Sequence, residues 1–207
     1  MPRVSMSQDA ALYASVISNS SVAGRGVSCK FYFMGGNVGL KVYTNRRVRD
    51  NNFFVQNLLW SKGLAPKAHK RLNIGKRQYG FTTELCEVAK GYEEQKHKIW
   101  AYGSYYHFKQ FNYWDKWYAA GAKLVQDTIA AFHDVLEVSD THEGNFGINY
   151  QTSEMNIIDV GHFRVYDTVN PKAHPWASNR RYRVEQCPTK LLCDIVFHGM
   201  GVDMRKL

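Results

Sequence analysis

The chain has 207 residues, 44% of them hydrophobic, which is enough for one compact domain or two small lobes with a core. No apolar run approaches the roughly 18 residues that a membrane-spanning helix needs, and the N-terminus lacks the long apolar segment of a secretory signal. These features argue against a membrane or secreted protein. We therefore expect a cytoplasmic protein without a membrane partner.

The net charge of +9 is concentrated in one segment. Residues 41–77 contain ten basic residues and one acid, Asp50, so this segment alone carries a net charge equal to that of the whole chain. Such a local excess predicts an anionic partner, namely an acidic protein face, nucleic acid or phosphate groups; an ordinary solvated surface is the alternative. We call this segment the basic stripe, and its basic residues are Lys41, Arg46, Arg47, Arg49, Lys62, Lys67, Lys70, Arg71, Lys76 and Arg77.

The four cysteines, Cys29, Cys86, Cys187 and Cys193, are far apart and form no C-x-x-C pair. Neither a zinc site nor a disulfide framework is indicated by this spacing. The sequence therefore predicts reduced and mostly buried thiols.

The first part of the chain has the pattern of β-strands. We predict strands over residues 11–18, 27–34 and 38–44, and a hairpin turn at residues 35–37, where two glycines permit positive φ. In the third strand, alternation places Val38, Leu40 and Val42 on one face and Gly39, Lys41 and Tyr43 on the other.

Helical patterns follow. Residues 49–66 have apolar side chains at helical spacing and end with glycine and proline, which is typical of a helix and its termination. Residues 77–88 return to a strand pattern, and residues 114–136 predict a long helix. The residues of this long helix expected to point inward are Ala120, Leu124, Ile129 and Phe132.

Polar residues cluster after the long helix, in a D-x-x-x-x-N motif and a D-x-G motif. Asp140 and Asn145 form the first, and Asp159 and Gly161 form the second, directly after an apolar run. Carboxylate and amide oxygens at these positions could hold Mg²⁺, or they could be ordinary turn residues.

The order of these features resembles the protein-kinase-like superfamily over about residues 15–165. A glycine loop, a strand lysine, a helix, a further strand, a long helix and the two motifs follow one another as they do in that superfamily. The wording DTHEGN at residues 140–145 is similar to that of small phage early protein kinases and of aminoglycoside and choline phosphotransferases. The resemblance implies an α+β, two-lobed protein-kinase-like fold, with a β-rich N-lobe (residues 1–87) and an abbreviated helical C-lobe (residues 88–207).

The resemblance also implies ATP and Mg²⁺ as cofactors and assigns roles to individual residues. Lys41 would pair the α- and β-phosphates, Asp140 would orient the acceptor hydroxyl or accept its proton, and Asn145 and Asp159 would hold the metal. The remaining residues expected to contact the nucleotide are Gly24 and Gly26 in the glycine loop, Gly39 under the adenine, Gln56, and Glu84 and Cys86 at the hinge of residues 84–86.

The chain departs from the kinase pattern at three points. The helix after Lys41 offers Gln56 where kinases have a glutamate, and an amide cannot form the ion pair. Val138 and Ser139 precede Asp140 in place of histidine and arginine. Only 46 residues follow Gly161, too few for a full helical substrate-binding subdomain.

Three function classes fit these observations. The first is a small phage-like or bacterial protein kinase acting on Ser/Thr of an acidic protein substrate, in the host cytoplasm if phage-encoded; the basic charge disfavours a cationic aminoglycoside. The second is a pseudokinase that docks an acidic protein or nucleic acid through its basic N-lobe. The third is a metal-dependent phosphohydrolase, with His107, His133, Asp134 and His142 as candidate ligands.

Overall fold

The computed structural model describes residues 8–20, 22–26, 28–88, 112–166 and 181–193. Three antiparallel sheets and several helices form a mixed α+β structure, which confirms the predicted class. The division into lobes at residue 87 stays a prediction.

The first sheet has five strands in the order β1-β2-β3-β5-β4. Its strands are β1 (Gly24–Arg25), β2 (Cys29–Gly35), β3 (Val38–Tyr43), β4 (Ala68–Gly75) and β5 (Gln78–Glu84). The predicted β2–β3 hairpin is confirmed, with Gly35 at φ 94° and Gly36 at φ 58°. The sequence analysis did not identify β4. This strand lies in the basic stripe, and the alternation of apolar and polar residues is limited to its second half, at Leu72 and Ile74.

The strand predicted over residues 11–18 is wrong, because this segment belongs to helix α1 (Gln8–Asn19). Tyr13, Val16 and Ile17 pack against a core cluster on the outer face of the first sheet. Their spacing of three and four residues is that of one helix face, and it outweighs the strand propensity of the β-branched residues. The described residues before residue 84 therefore contain two helices, where we predicted one.

Helix α2 (Arg46–Trp60) is buried along most of its length. Its first turn is capped by the Asn45 side chain, which accepts from the N–H groups of Arg47 and Val48. Phe54, Leu58 and Leu59 are buried, as the pattern predicted.

Several polar side chains of α2 are buried as well. Arg49 donates to the carbonyls of Leu72 and Gly80, and Asn51 donates to the carbonyls of Val184 and Cys187. These hydrogen bonds join α2 to the first sheet on one side and to the C-terminal segment on the other.

The rest of the described chain combines one long helix with short strands. Helix α3 (Asn112–Phe132) confirms the predicted helix; Leu124 and Phe132 are buried as expected, Ala120 is half-buried, and Ile129 is exposed, so that inward assignment is wrong. The second sheet has the order β6-β8-β9, and the third has the order β11-β10-β7. Their strands are β6 (Cys86–Val88), β7 (Leu136–Glu137), β8 (Phe146–Asn149), β9 (Met155–Ile157), β10 (Arg164–Tyr166) and β11 (Arg181–Arg183).

Short helical segments complete the described structure. Two 3₁₀ turns span Glu143–Asn145 and Val184–Gln186, and residues 189–193 are helical. In the described ranges, every helix is too short or too polar to cross a membrane. The four cysteines form no disulfide with one another. Cys187 is buried, but Cys29, Cys86 and Cys193 are only half-buried, so the prediction of mostly buried thiols is wrong for three of the four.

We expect the substitution Asn51→Ala to destabilise the protein by about 2–4 kcal/mol, because it removes a donor from two buried carbonyl oxygens and leaves Thr189 Oγ1 without its acceptor. Of the two carbonyls, that of Val184 keeps a second donor, the N–H of Cys187 at 3.3 Å. Urea unfolding followed by circular dichroism measures this change. The control Arg47→Ala, at an exposed position on the same helix, should change the free energy of unfolding by less than about 0.5 kcal/mol. Equal effects of the two substitutions would contradict the role given to Asn51.

Candidate functional site

Three segments that are distant in the sequence meet at one place. Lys41 Nζ donates to the carbonyl of Ile158, and the N–H of Ile158 donates to the carbonyl of Asn145 at 2.9 Å. Asn145 Nδ2 in turn donates to the carbonyl of Asp140 at 2.7 Å. Since Asp159 directly follows Ile158, all four residues of the proposed catalytic and metal-binding set lie along one chain of contacts.

Lys41 is held in a buried position on β3. Its ammonium group donates to Gln56 Oε1 at 3.0 Å and to the Ile158 carbonyl, and it lies 5.6 Å from the centre of the Phe81 ring. An ammonium group has three donors, and these two oxygens accept from two of them. The lysine thereby connects the first sheet, helix α2 and the segment that carries Asp159.

The side-chain amide of Gln56 makes hydrogen bonds that a glutamate could not make. Its Nε2 donates to the carbonyl of Pro66 at 2.8 Å and to Thr83 Oγ1 at 2.7 Å, and the Thr83 hydroxyl donates to the carbonyl of Lys67 at 3.1 Å. A glutamate has no donor when ionised and would set a carboxylate oxygen against the Pro66 carbonyl. The surroundings of residue 56 therefore require an amide.

Asp140 has a left-handed backbone conformation, with φ 57°, which is uncommon for a residue other than glycine. Its Oδ2 lies 2.7 Å from Nδ1 of His162 and 3.4 Å from Nδ2 of Asn145. The side chain is 40% exposed, so its carboxylate is oriented by neighbours and still accessible.

The sequence reasoning missed His162. The only signal for it was its position directly after Asp159, Val160 and Gly161. Because the backbone of Phe163 and Val184 pairs on the far side of this turn, the histidine is placed next to Asp140 by the fold and not by any local motif.

Those histidines considered for a phosphohydrolase that lie in the described residues do not assemble into a metal site. His142 accepts from the N–H of Gly144 through Nδ1, a hydrogen bond within its own loop. His133 and Asp134 pair with each other at the surface, after α3 has ended, so their expected place inside a helix is wrong. His107 lies outside the described residues. The described part of the chain brings together no three histidine, cysteine or acidic side chains able to hold a metal ion.

Asn145 and Asp159 fit a magnesium ion that takes its other ligands from water and phosphate. Asp159 Oδ1 accepts from the N–H of Gly161 at 3.0 Å, while its Oδ2 points toward Gly26. No described residue donates to Oδ2 of Asp159 or to Oδ1 of Asn145. Two oxygens therefore remain, which suits a cation that is commonly bound by one or two protein groups together with substrate phosphates.

The two glycines of the glycine loop have different surroundings. Gly24 lies on β1 and is paired with Phe31 of β2. The N–H of Gly26 donates to the carbonyl of Cys29, and a Cβ added at Gly26 would lie 3.6 Å from Asp159 Oδ2. Of the two expected nucleotide contacts, Gly26 is thus the one that the hairpin brings to the site.

A neighbouring aromatic ring leaves no room for a side chain at position 39. A Cβ added at Gly39 would lie 2.1 Å from Cζ of Phe31 on the adjacent strand. The ring of Phe31 therefore occupies the position directly over Gly39, on the sheet face that also carries Lys41. A base bound at this face would contact the Phe31 ring and not the glycine.

The two hinge residues Glu84 and Cys86 differ in whether their hydrogen-bonding groups are already paired within the protein. Glu84 donates its N–H to the carbonyl of Lys67, and its Oε2 accepts from the N–H of Lys67 and from Asn149 Nδ2, so it clamps β5 to β8. Cys86 is opposite Asn149, and the flanking bond from the N–H of Tyr150 to the carbonyl of Leu85 makes this a non-hydrogen-bonded pair. The N–H and C=O of Cys86 consequently point away from β8.

The two half-buried thiols near Lys41 are not nucleophiles. Burial raises the pKa of Cys29 to about 11, although the nearby Lys41 ammonium lowers it in part. Burial likewise raises the pKa of Cys86 to about 12. Both thiols stay protonated at neutral pH, which argues against covalent catalysis through cysteine.

No protein-family model and no curated protein matches the chain. Among solved structures, the crystal structure of WbdD aligns with 87% of this chain at 12% sequence identity and a TM-score of 0.39. The aligned part covers 45% of WbdD, so the chain spans less than half the length of that protein.

We expect Gln56→Glu to destabilise the protein by about 1–3 kcal/mol and to give no gain in activity, because the carboxylate loses both hydrogen bonds made by Nε2. Thermal and urea unfolding measure the stability. Gln126→Glu, the same chemical change at an exposed position of α3, should have little effect. A Gln56→Glu variant more stable than the parent would overturn our account of this amide.

We expect Gly39→Ala to cost about 1–3 kcal/mol, because the new Cβ overlaps the Phe31 ring and the ring must move. In a Phe31→Leu background the same substitution should cost less than half as much, since a smaller side chain leaves room. The four proteins of this double-mutant cycle are compared by urea unfolding. Equal costs in both backgrounds would show that the ring is not the constraint.

Proposed function

We propose that the chain is an ATP- and Mg²⁺-dependent phosphotransferase of protein-kinase-like fold that acts on Ser/Thr hydroxyls of a protein substrate. The observation that carries this proposal is the chain of contacts from Lys41 through Ile158 and Asn145 to Asp140. It supports a site in which a cation for phosphate, two oxygens for a metal and one accessible carboxylate lie together.

Each residue would have one task in phosphoryl transfer. When bound, ATP with Mg²⁺ supplies the phosphoryl group and neutralises its charge. Lys41 would donate to the phosphate oxygens, and Asn145 and Asp159 would hold the metal. Asp140 would orient the acceptor hydroxyl and take its proton, with His162 and Asn145 fixing the position of its carboxylate.

The nucleotide base would lie between the hinge and the Phe31 ring. The backbone of Cys86 points away from β8 and offers an N–H and a C=O to the edge of an adenine, while the aromatic ring over Gly39 offers a stacking surface. A protein substrate is favoured by the exposed Asp140, which a hydroxyl on another protein can reach. The basic stripe favours a substrate with an acidic surface.

A second candidate function is that of a pseudokinase, a kinase-like binding module without turnover. The observation in its favour is that Lys41 pairs with the neutral Gln56 and donates to the Ile158 carbonyl, so two of its hydrogen bonds are already made within the protein. Nucleotide would have to compete with these bonds. This module would act by docking an anionic partner through the basic stripe.

We expect Asp140→Asn to lower phosphate transfer by roughly 10²-fold or more while leaving ATP and Mg²⁺ binding nearly unchanged, because the amide keeps the shape and loses the base. Asp159→Asn should lower Mg²⁺-dependent nucleotide affinity together with transfer, because it removes a carboxylate from the metal. Lys41→Met should also lower transfer. Transfer is measured with labelled ATP and Mg²⁺ in a cell lysate, and binding is measured by calorimetry.

Asp134→Asn serves as the control, because this carboxylate is exposed at the surface and lies outside the site. Stabilisation of the parent protein by ATP without any labelled product would favour the binding module. The same conclusion would follow if Asp140→Asn and Asp159→Asn both left the cellular effect of the protein intact. Absence of both labelled product and ATP binding would end the nucleotide interpretation.

A further inference from the structure

A pocket of about 370 Å³ lies on the first sheet, between the beginning of α2 and strand β4. It shares no lining residue with the site around Asp140. The helix contributes Arg46, Arg49 and Phe53, and the strand contributes His69, Lys70, Arg71 and Asn73.

The pocket has an excess of positive charge. Three guanidinium groups share one carboxylate, since Asp50 lies 3.7 Å from Arg46 Nε, 2.8 Å from Arg49 Nε and 3.4 Å from Arg71 Nη1. Three positive charges and one negative charge leave these four groups with a net charge of +2. An anionic group would complete this cluster.

The three arginines have different roles. Arg49 is buried and donates to the carbonyls of Leu72 and Gly80, so it fastens α2 to the sheet. Arg46 and Arg71 have side chains that are 68% and 40% exposed. The Arg71 guanidinium lies 5.3 Å from the centre of the Phe53 ring, which holds the planar group in a fixed place.

Strand β4 provides a second feature of the pocket, because it is the outer strand of the five-stranded sheet. Its pairing with β5 shifts between Ala68 and Arg71, and such irregularities re-aim side chains at sheet edges. No described strand pairs with its outer edge. An outer strand can pair with an added extended peptide through its backbone.

We propose that this pocket is a docking site for an acidic segment of a protein partner, bound in extended form along β4. Its carboxylate or phosphate oxygens would lie between Arg46, Lys70 and Arg71, where guanidinium groups can bind them in bidentate fashion. Both proposed functions expect an anionic partner, and this docking site specifies where and how that partner binds. Docking itself requires neither nucleotide nor phosphate transfer.

The geometry favours a protein over nucleic acid. The cationic groups converge on one pocket, whereas binding of a nucleic acid strand uses positive charge along a path together with exposed aromatic rings for stacking. Here the Phe53 ring is buried beneath Arg71 and is closed to a base.

The test is fluorescence anisotropy at physiological salt without ATP. The labelled probes are a peptide with glutamate at alternate positions, the same peptide with phosphoserine at one of them, the matching glutamine peptide, and a single-stranded oligonucleotide. The pocket variant is Arg46→Glu/Lys70→Glu, and the control is Lys62→Glu/Lys76→Glu, which makes the same change in net charge at exposed positions outside the pocket.

We expect the acidic peptides to bind and the glutamine peptide to bind at least tenfold more weakly. The pocket variant should lose about tenfold or more in affinity for the acidic peptides, because charged hydrogen bonds are lost, while the control should stay within about twofold. Preference for the phosphoserine peptide identifies phosphate, and equal binding identifies carboxylate, as the group recognised.

Three results would overturn the proposal. Equal losses in the pocket variant and the control would show attraction to overall charge only. Binding of the oligonucleotide alone, lost in the pocket variant, would assign the pocket to nucleic acid. No binding of any acidic probe by the folded parent would exclude docking here. The variant Asp140→Asn should bind the peptides like the parent, so failure of the catalytic proposal leaves this test unaffected.

Discussion

The buried ammonium of Lys41 is the constraint on which the arrangement of the site depends. A buried charge is costly unless its donors are satisfied, and here the acceptors come from two separate parts of the chain, Gln56 of α2 and the carbonyl of Ile158. The position of the lysine is set by β3. Satisfying it therefore fixes α2 against the sheet and brings the segment with Asp159 to the same face of the sheet.

Helix α2 extends this connection through the whole structure. Its buried face carries arginine, asparagine and glutamine where a core helix would usually carry aliphatic residues. Arg49, Asn51 and Gln56 each donate to a carbonyl group outside the helix. The acceptors lie in three different places, namely Leu72 and Gly80 in the first sheet, Pro66 before β4, and Val184 and Cys187 in the C-terminal segment. The helix thus joins the sheet to the C-terminal segment by directional bonds, which specify its position more closely than apolar contacts would.

The surroundings of residue 56 change how the missing glutamate is understood. In the kinase pattern a glutamate at this position forms an ion pair with the strand lysine, and Gln56 cannot form that pair. The structure gives the amide three partners, two of which only a donor can satisfy. The same holds for Gly39. The kinase pattern places this glycine under a nucleotide base, whereas in the structure the ring of Phe31 lies over it. In both cases the residue is explained by its neighbours within the fold before any ligand is considered.

The sequence by itself determined β2, β3, α2 and α3, because alternation, helical spacing and glycine turns are local properties. It also predicted from a motif that Lys41, Asp140, Asn145 and Asp159 lie together, as their chain of contacts shows, while their roles stay a prediction. It did not determine α1, whose Tyr13, Val16 and Ile17 fit a helix face and a short strand alike until the sheet beneath them is known. Only the tertiary structure decided that His162 meets Asp140 and that three arginines share Asp50. These contacts join side chains from different elements, and their distances follow from how the elements pack, which no local pattern contains.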